Sequence, residues 1–134
     1  MEKDKSIKVI AILEIVTALG ILGFWIMFFF AGMVPENPPA CYFAYEHAFP
    51  LPDSALSIGL IVAGIFLLKG KPWGSRLSLI CAGGLVFLGL LDFCFNLQNG
   101  VYSLSAGELV SNGFINLWCV AFGAAVAVSF GRGR

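Results

Sequence analysis

The stretch LDFCFNLQNGVYSLSAGELVSNGFINLWC, residues 91–119, decides the architecture of this chain. Both of its ends are apolar over several helical turns, and Asn99-Gly100 between them is a turn signal. Ser105 and Glu108 stand in the S-x-x-E spacing that opens a helix, with Ser105 as the cap. The stretch therefore predicts a helical hairpin, its first arm ending near residue 97 and its second starting at Ala106. Each arm carries a polar stripe. Asp92, Asn96 and Asn99 stand at i, i+4 and i+7, within about 60° of one another at ~100° per residue. Glu108, Asn112 and Asn116 stand at i, i+4 and i+8, within about 80°. Helical rise puts Asp92 and Asn116 at a similar depth, about 6 Å below one surface. Level-by-level pairing of Asp92 with Asn116, Asn96 with Asn112 and Asn99 with Glu108 is the expectation. Two matched polar stripes among hydrocarbon point to a shared polar site, because unpaired polar groups there are costly.

Composition says what surrounds that hairpin. Of 134 residues, 59% are hydrophobic and 12% charged. A soluble domain carries about 25% charged residues, so the chain reads as an integral membrane protein. Four spans are predicted, at about 7–33, 54–68, 77–97 and 106–130, each approaching the roughly 20 residues that cross a bilayer. They form one all-α domain, a four-helix antiparallel bundle with a Pro-rich extracytoplasmic loop. A cleaved leader is not expected: the first apolar run extends from Val9 to Phe30, beyond the ~7–15 residues of a signal peptide.

The basic residues orient the bundle. Lys3, Lys5 and Lys8 precede the first span; Lys69, Lys71 and Arg76 lie between the second and third; Arg132 and Arg134 follow the fourth. These are all eight, and they fall on one side of the membrane. The positive-inside rule makes that side cytoplasmic, in a plasma or inner membrane, with both termini inside. Glu36, Glu46, Asp53 and Glu108 fall on the outer side with Asp92 near it, so the outer mouth is acidic. Basic residues scattered at helix ends give no nucleic-acid surface. Membrane lipids are the expected surroundings, and a homo-oligomer is compatible with the small-residue helix faces.

The outer loop VPENPPACYFAYEHAFPLPD, residues 34–53, holds five of the six prolines and reads as stiff. A short helix is expected over Tyr42–His47, and the aromatic residues there would fold onto the bundle as a lid. His47, the single histidine, has Glu46 beside it and Asp53 six residues on. His47, Asp92 and Glu108 are candidate ligands for a divalent cation, although no H-x-x-x-H or C-x-x-C spacing supports a metal. Asp53 followed by Ser54 reads as a helix cap. Glu14 lies one turn inside the first span, where it is an interfacial carboxylate held by Lys8 or Arg76, a protonated acid hydrogen-bonded between helices, or an intramembrane acid with a functional role. Phe24 to Phe30 is expected to face lipid or to wall a site for a cationic or flat apolar ligand. A Cys41–Cys94 disulfide is conceivable if the loop folds over.

Three functions fit these residues. The first is a cation or small-ligand site, open to the outside, built from Asp92, Asn96, Asn99, Glu108, Asn112, Asn116, His47 and Glu46 and used for transport or sensing. The second is an enzyme acting on a lipid or isoprenoid head group at the outer leaflet. The third is an accessory subunit in which the polar stripes only hold helices together.

Overall fold

The computed structural model describes residues 1–132, and all of their regular structure is helical. The helices are α1 (Glu2–Phe30), α2 (Tyr42–Glu46), α3 (Pro50–Leu68), α4 (Pro72–Gln98) and α5 (Ala106–Gly131), with a 3-10 turn at Val101–Ser103. Four are long and apolar enough to cross a membrane.

Two helix starts lie upstream of the predicted spans for the same physical reason. Pro50 and Pro52 sit in the first turn of α3, and Pro72 opens α4. The first turn of a helix tolerates proline because its N–H groups have no intrahelical partner. Asp53 is accordingly not the cap of α3. That position belongs to Phe49, and the Asp53 side chain turns elsewhere. α1 begins at Glu2, five residues before the apolar stretch, and ends three residues before the predicted boundary. The turn from α3 to α4 is tight. Gly70 takes φ 63°, and the Lys71 amide donates to the Phe66 carbonyl. Gly100, at φ 69°, leads from α4 into the 3-10 turn. Both need the left-handed backbone that glycine adopts without cost. Ser105 caps α5 as its spacing predicts, accepting from the Glu108 amide at 3.1 Å.

α1 packs on α3, α3 on α4 and α4 on α5. Small residues set these spacings. A Cβ at Gly64 would lie 2.7 Å from the Ala11 carbonyl, and one at Gly123 2.8 Å from the Ala82 carbonyl. Backbones that close gain dispersion contact along the whole interface. The main core joins Ala18, Leu60, Cys81, Leu85, Phe122 and Val126. A second cluster, Trp25, Phe28 and Tyr42, fastens the loop helix α2 onto the end of α1. By contrast, α1 and α5 make almost no close backbone approach. A space is left between the first and last spans, and the candidate site occupies it.

Candidate functional site: an acidic, aromatic-walled cavity

The space between α1 and α5 is a cavity of about 390 Å³. Its acidic end is built by three carboxyl groups, Glu46 from α2, Asp53 from α3 and Asp92 from α4. Its walls are aromatic, with Phe24 and Trp25 from α1, Phe49 beside α3, and Phe114 and Trp118 from α5. No lysine or arginine is among the described residues that line it.

Each carboxyl group is placed by a specific partner. The Tyr45 hydroxyl donates to Asp92 Oδ1 at 2.6 Å. The Tyr45 ring lies flat on Phe95, one turn along α4 from Asp92, with centroids 3.7 Å apart and planes 1° from parallel. Stacking and hydrogen bond together hold α2 against α4. Trp25 Nε1 donates to Asp53 Oδ2 at 2.9 Å, a buried bond between α1 and α3. A buried indole N–H needs an acceptor and a buried carboxylate needs a donor, and each supplies the other here. Glu46 follows Tyr45 on α2 and is brought to the cavity by the same docking. Across the gap, Trp118 Nε1 donates to Thr17 Oγ1 at 3.1 Å, a side-chain tie between α5 and α1. Trp118 continues a stacked column with Phe114 and Phe122.

The structure brings together only part of the residue set expected from sequence. Asp92, Asn112 and Glu46 line the cavity, whereas Asn96, Asn99, Glu108, Asn116 and His47 do not. The expected rungs between α4 and α5 are replaced by other partners. Asn112 donates to the Glu108 carbonyl and to Glu108 Oε2, both in its own helix, at 3.0 and 2.7 Å. Asn116 donates to the Tyr102 hydroxyl at 2.7 Å. Asn99 donates to the Phe95 carbonyl and accepts from Cys41 Sγ at 3.4 Å. Asn96 is buried. Asn116 is buried too, and Gly89, one turn before Asp92, packs against the Asn116 carbonyl and Cys119, so α4 and α5 meet there through backbone.

His47 is exposed at the surface, among Phe28, Phe29 and Phe43. Glu46 faces the cavity instead, as expected of adjacent residues on a helix, which point in different directions. Among the described residues no three His, Cys, Asp or Glu side chains gather in a metal-holding arrangement. The candidate set His47, Asp92 and Glu108 is therefore not assembled. The cysteines are free, so the conceivable Cys41–Cys94 disulfide is not formed.

Glu14 is not held by Lys8 or Arg76. It is 0% exposed, and both carboxyl oxygens lack a hydrogen-bond partner. The Ser78 hydroxyl is near it and is also buried without a hydrogen-bond partner. Ser57 is likewise buried and unpartnered.

The expected aromatic wall over Phe24–Phe30 and the aromatic lid contain Trp25 and Tyr45 without their hydrogen bonds, and Thr17 and Trp118 fall outside every expected site. The available signal was chemical: an indole or phenol buried at membrane depth must find an acceptor.

Residues 2–93 match the family described as a domain of unknown function, DUF8058, and the chain belongs to that family. The matched region carries Glu14, Glu46, Asp53 and Asp92 and stops before α5. No curated protein and no solved structure matches the chain.

Proposed function

We propose that this DUF8058 member is an integral membrane protein that binds a small organic cation from the outer side, for transport or sensing. One observation carries the reading. Three carboxyl groups line a single aromatic-walled cavity that has no basic side chain among its described lining residues. Such a cavity attracts positive charge, and ring faces add cation–π attraction. The absence of a compact three-ligand cluster among the described residues disfavours a bare metal ion and favours a bulkier ammonium or guanidinium group. The volume of about 390 Å³ lies in the range of small-molecule pockets.

The orientation argument comes from charge. Lys3, Lys5, Lys8, Lys69, Lys71, Arg76 and Arg132 all belong to the helix ends away from the carboxyl groups of the cavity. An antiparallel bundle with both termini in the cytoplasm then turns the cavity outward. A specific feature favours a second reading, an enzyme acting on a lipid head group. Val16 and Phe114, on the rim between α1 and α5, are 55% and 66% exposed, so a membrane-borne molecule has a lateral way in.

The test is binding of tetramethylammonium and benzyltrimethylammonium to protein in nanodiscs of neutral lipid, followed by tryptophan fluorescence. Trp73→Phe removes the one tryptophan outside the cavity. Saturable quenching is expected, with affinity lowered about tenfold or more by Asp92→Asn, as for loss of one desolvated charge partner. Equal binding in Asp92→Asn, Asp53→Asn and Glu46→Gln would remove the carboxyl groups from any recognition role.

A further inference from the structure

At the other end of the bundle lies a second cleft of about 440 Å³, where the start of α1, the α3–α4 turn and the end of α5 meet. Three cations line it, each from a different element: Lys3 from the first turn of α1, Lys71 at the cap of α4, and Arg132 directly after α5. No aspartate or glutamate is among its described lining residues, although Glu2 and Asp4 share the first turn of α1. The floor is apolar, formed by Ile7, Ile10, Leu67 and Phe130.

Topology requires basic residues at this end, but it does not require them to converge. Lys5, Lys8, Lys69 and Arg76 satisfy the same rule and do not line the cleft. Arg76 instead stacks on Trp73, 5.0 Å from the ring. Lys71 lies 5.5 Å over the Phe66 ring, a contact that leaves its N–H donors free. The cleft also receives the N-terminus of α4, a 27-residue helix that opens with Pro72 and whose cap makes no side-chain hydrogen bond. The ends of α3 and α5 line the cleft as well, so positive and negative helix ends offset one another and the three side chains carry its charge. Ser6 stands on the same wall, and a hydroxyl there can donate to an anion.

We propose that the cleft between Lys3, Lys71 and Arg132 holds the phosphate of an anionic membrane lipid, with the lipid chain lying on Ile7, Ile10 and Phe130. Lysine supplies point charges and arginine a forked pair of donors, the combination that suits a phosphate's several oxygens. The apolar floor selects between two sources of phosphate. A free phosphate ion has no use for it, whereas a phospholipid places its glycerol and chain there. Basic pockets between spans at the positive side of a bundle are suited to such head groups. This site is independent of the carboxyl-lined cavity.

The experiment measures thermal unfolding and lipid-bound mass of the full chain in a neutral detergent. Phosphatidylglycerol, phosphatidylcholine with the same chains, and inorganic phosphate are added in turn. Phosphatidylglycerol is expected to raise the unfolding temperature saturably and to appear as a one-lipid adduct; the other two are expected to do neither. The triple variant Lys3→Gln, Lys71→Gln, Arg132→Gln should weaken phosphatidylglycerol binding about tenfold or more. The matched triple Lys5→Gln, Lys8→Gln, Lys69→Gln removes equal charge outside the cleft and should weaken it less than threefold. If both triples weaken binding equally, attraction is diffuse and the site is refuted. If inorganic phosphate binds as tightly as phosphatidylglycerol, the lipid assignment is refuted. Should the cleft triple fail to fold, Lys71→Gln and Arg132→Gln are compared singly with Lys69→Gln, and equal adduct populations would overturn the proposal.

Discussion

Tyr45 and Asp92, 47 residues apart in the chain, are joined by a 2.6 Å hydrogen bond from the phenol to Oδ1. This bond ties the five-residue helix α2, in the loop between α1 and α3, to the third long helix at the acidic end of the cavity. Removing the donor leaves a half-buried carboxyl group without its partner. Tyr45→Phe, which keeps the ring and its stack on Phe95, is expected to destabilise the protein by about 1–3 kcal/mol in equilibrium unfolding. A change within about 0.5 kcal/mol would mean that water replaces the phenol at no cost.

Trp25 and Asp53 form a comparable pair between α1 and α3, buried and 2.9 Å apart. A double-mutant cycle of Trp25→Phe and Asp53→Ala should give a coupling of about 0.5–3 kcal/mol by unfolding, since the two groups satisfy one another. Asp53→Asn retains an acceptor and should be milder than Asp53→Ala. Additive single effects would show that the bond contributes nothing beyond separate packing.

Gly89 and Gly83 lie on the same helix and should respond oppositely to a side chain. A Cβ at Gly89 would come within 2.8 Å of the Asn116 carbonyl, a backbone atom that cannot yield locally. Gly89→Ala is expected to cost about 1–3 kcal/mol, as overpacking does. At Gly83 nothing lies within 4 Å, so Gly83→Ala should stabilise by roughly 0.5–1 kcal/mol through helix propensity. Thermal unfolding of the two variants side by side checks the pair.

Trp118 spans the gap between α5 and α1 through its 3.1 Å bond to Thr17. Cys119, beside it, lines the cavity but is only 4% exposed. In a background where Cys41, Cys81 and Cys94 are replaced by alanine, Trp118→Phe should speed maleimide labelling of Cys119 several-fold. An unchanged labelling rate would show that the tie does not hold the cavity closed.

Glu14 is a fully buried acid whose carboxyl oxygens have no partner. Replacing a buried polar group that lacks partners by an apolar one of similar shape is commonly neutral or stabilising. Glu14→Leu should therefore unfold at the same or a higher temperature than the wild type. Destabilisation of more than about 2 kcal/mol would show that the carboxyl group makes interactions beyond those of this packing.

The four long helices were legible because hydrophobic run length and proline and glycine position are local properties. Ser105 announced the start of α5 by its own spacing to Glu108, and a short helix stands at Tyr42–Glu46 where the aromatic loop predicted one. Asp53 misled because Asp-Ser before an apolar run is a capping signal whatever the tertiary context. In the folded chain the prolines at 50 and 52 take the first turn, and Trp25 claims the carboxyl group.

The sequence by itself determined four helices able to span a membrane, the concentration of basic residues at one set of ends, and the two polar stripes around residue 100. Each of these follows from the order of neighbouring residues. Only the tertiary structure decided which polar groups meet. It separated Asn96, Asn99, Glu108, Asn116 and His47 from the cavity, and it brought Glu46 and Asp53 to Asp92. The contacts responsible join residues 28, 47 and 101 positions apart. Helical periodicity says which residues share a face of one helix. It says nothing of which neighbour that face meets, and in this protein that choice rests on glycine-sized contacts between backbones and on the docking of one short loop helix.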